Sequence, residues 1–242
     1  PRLPREYRPR IGLIGCGGIT KHHLAAYKKH NLNVLAFADL RKDRAEERRR
    51  EFFPEADIHT NAADLLARGD LDVVDIATHP NDRLPLIRHA LEAGKHVLSQ
   101  KPFVLDLDEG AQLADLAEKQ GRKLAVNQNG RWAPYHAWLR QAVQQGLLGD
   151  IHSVDIHIAW NHTWIQGTPF EKIHHVVLYD FAIHWFDIVG CVFGPKKAES
   201  VYANLRRIKG QTIDPPLSGH AVAAYQDALA SLCFHAFSPY PA

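Results

Sequence analysis

No methionine occurs among the 242 residues, where ordinary globular composition would supply about five. The deficit predicts that methionines, or whole segments, are missing from the sequence, which would shorten some spacings and would show as a discrepant intact mass. Only three cysteines are present, Cys16, Cys191 and Cys233, with no paired spacing. An odd, scattered set argues against a disulfide framework and for reduced thiols in a cytoplasmic compartment. The sequence starts at Pro1 and shows no signal peptide, so an exported form that has lost its leader stays open as the alternative. No apolar run approaches the roughly 20 residues that span a bilayer, so no membrane association is expected. Excess charge is missing too. Lys and Arg number 29 and Asp and Glu 27, a net charge of +2, too balanced to suggest nucleic acid or a membrane surface as partner. The basic run 41–50 is interleaved with Asp43, Glu46 and Glu47 and reads as a solvated helix face. The 16 histidines include His22-His23, His157, His162 and His174-His175. None forms a His-Glu-x-x-His or cysteine-paired spacing, so no metal is expected.

What remains is an ordinary globular composition, 45% hydrophobic and 23% charged, long enough for one large or two modest domains. Residues 10–127 alternate short apolar runs with helical patterns. The runs are Arg10–Ile14, Val34–Ala38, Val73–Ala77, His96–Leu98 and Leu124–Val126, continuously apolar as strands buried on both faces are. Helices are expected at 18–30, 41–52, 61–68, 82–93 and 107–120, with Gly94 and Gly121 as stops. Repeated strand–helix units imply a doubly wound parallel sheet with right-handed crossovers. The pattern changes near residue 128. A helix at 134–146 is followed by the alternating segment 151–158, read as a half-buried antiparallel strand. Then come a helix at 178–192 and strands at 198–207, 219–226 and 229–237. The expected class is α/β: a Rossmann domain over 1–128, then an α+β domain over 129–242 with an open, mostly antiparallel sheet.

The turn Gly15-Cys16-Gly17-Gly18-Ile19-Thr20 joins the first strand to the first helix. Gly15 permits the tight turn and Gly17 lets the backbone approach a pyrophosphate. The helix beginning near Gly18 offers free N–H groups and a positive dipole end. Thr20 stands at the third small position, a departure expected to loosen helix–strand packing. Asp39 ends the second strand, where a carboxylate accepts hydrogen bonds from both ribose hydroxyls and repels a 2′-phosphate. NAD is therefore the expected cofactor. Arg41 and Lys42 lie close by and keep NADP open.

Ala93-Gly94-Lys95-His96-Val97-Leu98 leads to Gln100-Lys101-Pro102, and Asn127 to Pro134 and then Asp180 with His184 follow downstream. With the glycine turn, these residues make the chain resemble the Gfo/Idh/MocA oxidoreductase family of glucose–fructose oxidoreductases and inositol dehydrogenases. The resemblance implies a lysine of a Glu-Lys-Pro signature and a later Asp-x-x-x-His pair facing the nicotinamide, here Lys101, Asp180 and His184. It implies reversible hydride transfer at a hydroxyl-bearing carbon of a sugar, sugar derivative or cyclitol. His184 would be the general base, Lys101 the donor to the reacting oxygen, and Asp180 the group orienting substrate or His184. Gly15, Gly17, Gly18, Ile19, Asp39, Thr78, Asn81, Gln100, Lys101, Asn127 and Arg131 are the implied cofactor contacts. Substrate contacts would be Lys101, Asp180 and His184. Trp164, a large ring in the polar loop 161–169, is added as the aromatic platform for a sugar face.

Three departures from the family pattern stand out. Gln100 replaces the glutamate before the lysine, which should lower the Lys101 pKa by removing an anion. The glycine-rich lead-in to Asp180 is replaced by His174-His175-Val176-Val177-Leu178-Tyr179, which should reshape the substrate pocket. Arg83 stands near the place where relatives carry a histidine after the fourth strand. Family members also run on for roughly another hundred residues, judged against two-domain sizes, so the second sheet is expected to be incomplete at the C-terminus. Two rival functions remain open. One is redox-assisted glycoside cleavage or elimination, with Tyr179 as an added base. The other is a noncatalytic nucleotide or sugar sensor, suggested by Gln100 and the crowded lead-in. The open sheet predicts a homo-oligomer, dimer or tetramer.

Overall fold

The computed structural model describes residues 6–237; residues 1–5 and 238–242, included in the expected domain ranges, lie outside the described residues. The chain divides into two compact units, 1–127 and 128–242. The first unit alternates strand and helix: β1 (Arg10–Ile14), α1 (Thr20–Lys29), β2 (Asn33–Ala38), α2 (Lys42–Phe52), β3 (Asp57–His59), α3 (Ala62–Leu66), β4 (Val73–Ile76), α4 (Pro80–Glu92), β5 (His96–Ser99), α5 (Leu107–Lys119) and β6 (Leu124–Val126). The sheet order is β3-β2-β1-β4-β5-β6, with every pairing parallel. Leu13, Phe37, Val74 and Ile76 are fully buried, as expected for strands covered by helices on both faces. One core packs Ile14, Val74, Ile76, Ile87 and Leu113; the other packs Leu13, Leu24, Phe37 and Ala45. Strand order reverses between β1 and β4. Crevices outside the carboxyl ends at such a reversal are where open α/β sheets bind ligands. Gly94 and Gly121 end α4 and α5 with φ of 73° and 61°. The sixth strand, β3, was not expected. It is a short edge strand, Asp-Ile-His, without the apolar run that double-sided burial imposes.

The second unit opens with a 3₁₀ turn (Asn129–Trp132) and α6 (Pro134–Gln144), followed by β7 (Ser153–Ala159). Two more 3₁₀ turns (Thr163–Ile165 and Pro169–Lys172) and a π-helical turn (Val177–Phe181) lead into α7 (Ile183–Phe193). β8 (Ser200–Arg206), β9 (Ser218–Tyr225) and β10 (Ala228–His235) complete the sheet, ordered β7-β10-β9-β8. The pairings β8–β9 and β9–β10 are antiparallel. β7, expected to be antiparallel, instead runs parallel to β10, from Ser153 beside Leu229 to Ala159 beside His235. Its period-two pattern reports one buried face and says nothing of the neighbour's direction. Ala228, Ala230, Leu232 and Phe234 point from β10 into a core with Ile165, Val177, Val189 and Phe193. The opposite sheet face carries Tyr202, Val222, Leu229, His157, Cys233 and His235, by strand alternation and register. The helix expected over 178–192 is interrupted: the π turn ends at Phe181 before α7 begins.

Candidate active site

Gly15 takes φ +89°, and a Cβ there would lie 2.9 Å from the Ala77 carbonyl carbon. Only glycine fits where β1 turns this close to the end of β4. At Gly17 and Gly18 a Cβ would meet open space. The start of α1 at Ile19 has no side-chain cap. Together these make a concave backbone surface with a helix N-terminus beside it, a cradle that fits a dinucleotide pyrophosphate. Thr20 ties this turn together. It is fully buried, its hydroxyl donates to the Gly17 carbonyl at 2.6 Å, and Arg48 from α2 reaches the same two groups at 3.4 and 3.3 Å.

Asp39, at the end of β2, accepts the Cys16 N–H at 2.6 Å and the Arg41 N–H at 2.8 Å. The carboxylate is thereby held beside the glycine turn, the position from which it can take ribose hydroxyls. Arg41 turns away to Asp43, at 2.6 and 3.3 Å. Burial, reinforced by Asp39, pushes the Cys16 thiol up to about 12, so it stays protonated and inert.

Lys101 follows β5 and is held by two devices. The Gln100 Oε1 accepts its backbone N–H at 2.7 Å. Arg83, in α4 and 2% exposed, donates to the carbonyls of Gln100, Pro102 and Thr78. One guanidinium thus ties the segment after β5 to the end of β4. Gln100, 8% exposed, turns its amide nitrogen to His23 Nε2 at 3.1 Å, and Asn127 Nδ2 reaches the same atom at 3.0 Å. Both Gln100 amide atoms are thus engaged, one with the Lys101 N–H and one with His23. Thr78 sits in the loop after β4, its hydroxyl buried with no hydrogen-bond partner, while Asn81 is exposed in the first turn of α4. Arg83, His23 and Asp75 were not expected at the site. Asp75 left one visible signal, a carboxylate in the middle of the apolar run Val73–Ala77.

In the second unit Asp180 is 5% exposed in the π turn. His184, half-buried at the start of α7, packs its ring over Gly130, where a Cβ would stand 3.7 Å from it. Arg131, expected at the cofactor, is bound by both oxygens of Asp187 on α7, and those hydrogen bonds raise its pKa. Trp164 is 56% exposed and edges onto Phe170 and Phe181, with ring centroids 5.9 and 6.2 Å away. The Phe181 ring stacks on His162 at 3.6 Å. Trp164 therefore stands on an aromatic cluster one residue along the chain from Asp180. Among the described residues no three His, Cys, Asp or Glu side chains gather as metal ligands.

A switch-point glycine cradle with an acidic residue closing β2, followed by an α+β unit, defines a dinucleotide-binding α/β protein. The chain belongs to the Gfo/Idh/MocA oxidoreductase family: residues 9–128 match its NAD-binding Rossmann fold and residues 136–242 its C-terminal domain. The D-apiose dehydrogenase of Paraburkholderia graminis is 29% identical over 75% of this chain and 49% of its own length. The chain spans about half to three fifths of the curated relatives it matches. A Klebsiella pneumoniae oxidoreductase structure superposes with a TM-score of 0.79 at 27% identity, covering 97% of this chain and 64% of the other. The Lactobacillus casei scyllo-inositol dehydrogenase, solved with NAD(H) and scyllo-inositol, gives a TM-score of 0.84 at 21% identity, covering 95% and 70%. Among the described residues no helix is long and apolar enough to cross a membrane.

Proposed function

We propose that this chain is the cofactor-binding and catalytic part of an NAD-dependent dehydrogenase acting on a hydroxyl carbon of a sugar, sugar derivative or cyclitol. The observation that carries the reading is Lys101, fixed by Arg83 and Gln100 at the carboxyl end of β5, in the same doubly wound sheet as the glycine cradle. Two relatives support the substrate class, one named for apiose and another solved with an inositol. Gly15, Gly17, Gly18 and Ile19 would hold the pyrophosphate, and Asp39 the adenosine ribose. Thr78, Asn81 and Asn127 would make the remaining contacts. Gln100 and Arg131, with their polar groups engaged elsewhere, support the site from behind. When bound, the nicotinamide supplies the hydride acceptor or donor. Lys101 donates a hydrogen bond to the reacting oxygen, His184 takes the hydroxyl proton at a ring nitrogen, and Asp180 orients substrate or histidine.

The second unit would supply the substrate face, with Trp164 under the apolar side of the ring. Its open sheet would be covered by a second copy of the chain in a homo-oligomer. The three cysteines are unpaired, which fits a reducing, cytoplasmic compartment.

The test is incubation with NAD and a panel of sugars and cyclitols, following the NADH absorbance band. Turnover is expected, falling by about 10²–10⁴-fold in Lys101→Ala and in His184→Ala. Tight NAD binding with no turnover on any polyol would move the reading to a sensor. Aglycone release from glycosides without net NADH would identify redox-assisted cleavage, for which Tyr179, beside Asp180 on the π turn, is the added base.

A further inference from the structure

Beneath Lys101 lies a chain of polar groups in the interior of the first unit. Asp75, fully buried in β4, accepts from His23 Nδ1 at 2.7 Å and from the Tyr27 hydroxyl at 2.8 Å, both on the same oxygen. Its other oxygen, Oδ1, is buried with no hydrogen-bond partner among the described residues.

The direction of every bond can be read from one fixed point. The Lys101 backbone N–H is always a donor, so the Gln100 atom 2.7 Å from it is the amide oxygen. The Gln100 nitrogen must then face His23 Nε2, 3.1 Å away. An amide nitrogen only donates, so Nε2 accepts. The single ring proton lies on Nδ1, facing Asp75. Asn127 Nδ2, at 3.0 Å, adds a second donor to the same Nε2.

We propose that Asp75, His23 and Gln100 form a relay that positions Lys101, and that residue 100 sets the protonation state of His23. The relay rests on the dehydrogenase reading for its catalytic consequence, though not for the histidine tautomer. With glutamine at 100, His23 is neutral with its proton on Nδ1. With glutamate there, one carboxylate oxygen would accept the Lys101 N–H and the other would face Nε2. That contact needs a proton between the two groups, and the imidazole, the stronger base, would hold it on Nε2. His23 then becomes an imidazolium between two carboxylates, and the cluster takes up one proton with no change in net charge. The other charged groups near the histidine do not alter this count. Arg48 on α2 is engaged with Thr20 and Gly17, and Arg83 on α4 binds the Gln100 carbonyl. Gln100 and His23 are thus positioning residues, acting on Lys101 through its backbone.

The experiment is NMR of the full chain with ¹⁵N-labelled histidine, the His23 signals being assigned by their loss in His23→Gln. The wild-type protein at neutral pH should show one protonated ring nitrogen, Nδ1, and one bare nitrogen, Nε2. Gln100→Glu should show both protonated. A wild-type His23 protonated on Nε2, or a neutral His23 in Gln100→Glu, overturns the relay. Kinetics supply the second arm. Gln100→Leu, which removes both contacts, should lower kcat by about tenfold or more through misplacement of Lys101. Gln100→Glu should recover much of that rate and gain a pH inflection absent from the wild type, as its extra proton is lost. Unchanged kcat in Gln100→Leu, or a Gln100→Glu profile identical to wild type, overturns the positioning role. A wild type with no turnover on any substrate defeats the dehydrogenase reading, while the NMR result still decides the tautomer.

Discussion

We propose that Asp39 carries two duties with one carboxylate, one to the turn and one to the cofactor. Its oxygens already bind the Cys16 and Arg41 N–H groups, so it stiffens the glycine turn, and each oxygen keeps a lone pair for a ribose hydroxyl. The same charge repels a 2′-phosphate, and Asp43 keeps the Arg41 guanidinium occupied. Asp39→Ser should therefore weaken NAD more than NADP. A hydrogen bond to a charged group contributes about 1.5–3 kcal/mol. Loss of one predicts at least about a tenfold fall in kcat/KM for NAD, with a smaller fall or a gain for NADP. Initial-rate kinetics with both cofactors would read this, and an unchanged NAD-to-NADP ratio would exclude Asp39 from cofactor choice. Residues of this kind were legible in the sequence because backbone geometry restricts them. Gly15 must be glycine at φ +89°, and the Asp39 carboxylate is held beside that turn by the Cys16 N–H. Arg83 and His23 were not legible. Their partners, Thr78, Gln100, Pro102 and Asp75, are set by how α1 and α4 lie on the sheet, and no local spacing encodes that.

Adjacent strands are joined by more than their ladders. Arg10 opens β1, and Asp72 stands just before β4. The Asp72 carboxylate accepts the Arg10 backbone N–H at 2.9 Å and its guanidinium at 3.0 and 2.7 Å. Those bonds hold the Asp72 carboxyl down at about 2, below the ordinary value of about 3.9. A carboxyl depressed in the folded state adds stability that is fully present above its unfolded pKa. That stability is lost as pH falls through the folded value. The link between β1 and β4 should therefore weaken between about pH 4 and pH 2. Arg10→Gln should raise the Asp72 value toward the ordinary range by NMR titration and flatten this part of the acid-unfolding curve. The effect should be modest, because both side chains are partly solvated. An Asp72 titration unmoved by the substitution would show that backbone bonds alone depress it. At this scale five strands of the first sheet were legible as apolar runs, although the edge strand β6 is only partly covered, and α5 as a segment closed by Gly121. The edge strand β3, the parallel partner of β7 and the π turn before α7 were not. Each depends on a neighbour's direction or on one extra residue per turn, which hydrophobic pattern does not register.

Each unit has its own core, and among the described residues the sheet of the second is covered on one side only. The core side holds Ala230, Leu232 and Phe234. On the other side, register aligns Tyr202 with Val222 and Ser231, and Ala224 with Leu229. Tyr202 is 66% and Leu229 53% exposed, while Asp155, His157, His220 and Arg206 lie around them on the same face. A central apolar strip with a polar surround is the anatomy of a protein interface. A net charge of +2 offers little electrostatic resistance to self-association. A sheet face pairs readily with a copy of itself about a twofold axis, because one patch then serves both partners. We therefore predict a dimer or tetramer at micromolar concentration by light scattering. Tyr202→Lys with Leu229→Lys should shift it to monomer with an unchanged far-ultraviolet circular dichroism spectrum, since neither side chain enters the core. A wild-type monomer would refute self-association. A double variant that stays oligomeric would place the interface elsewhere and leave this face to a different partner.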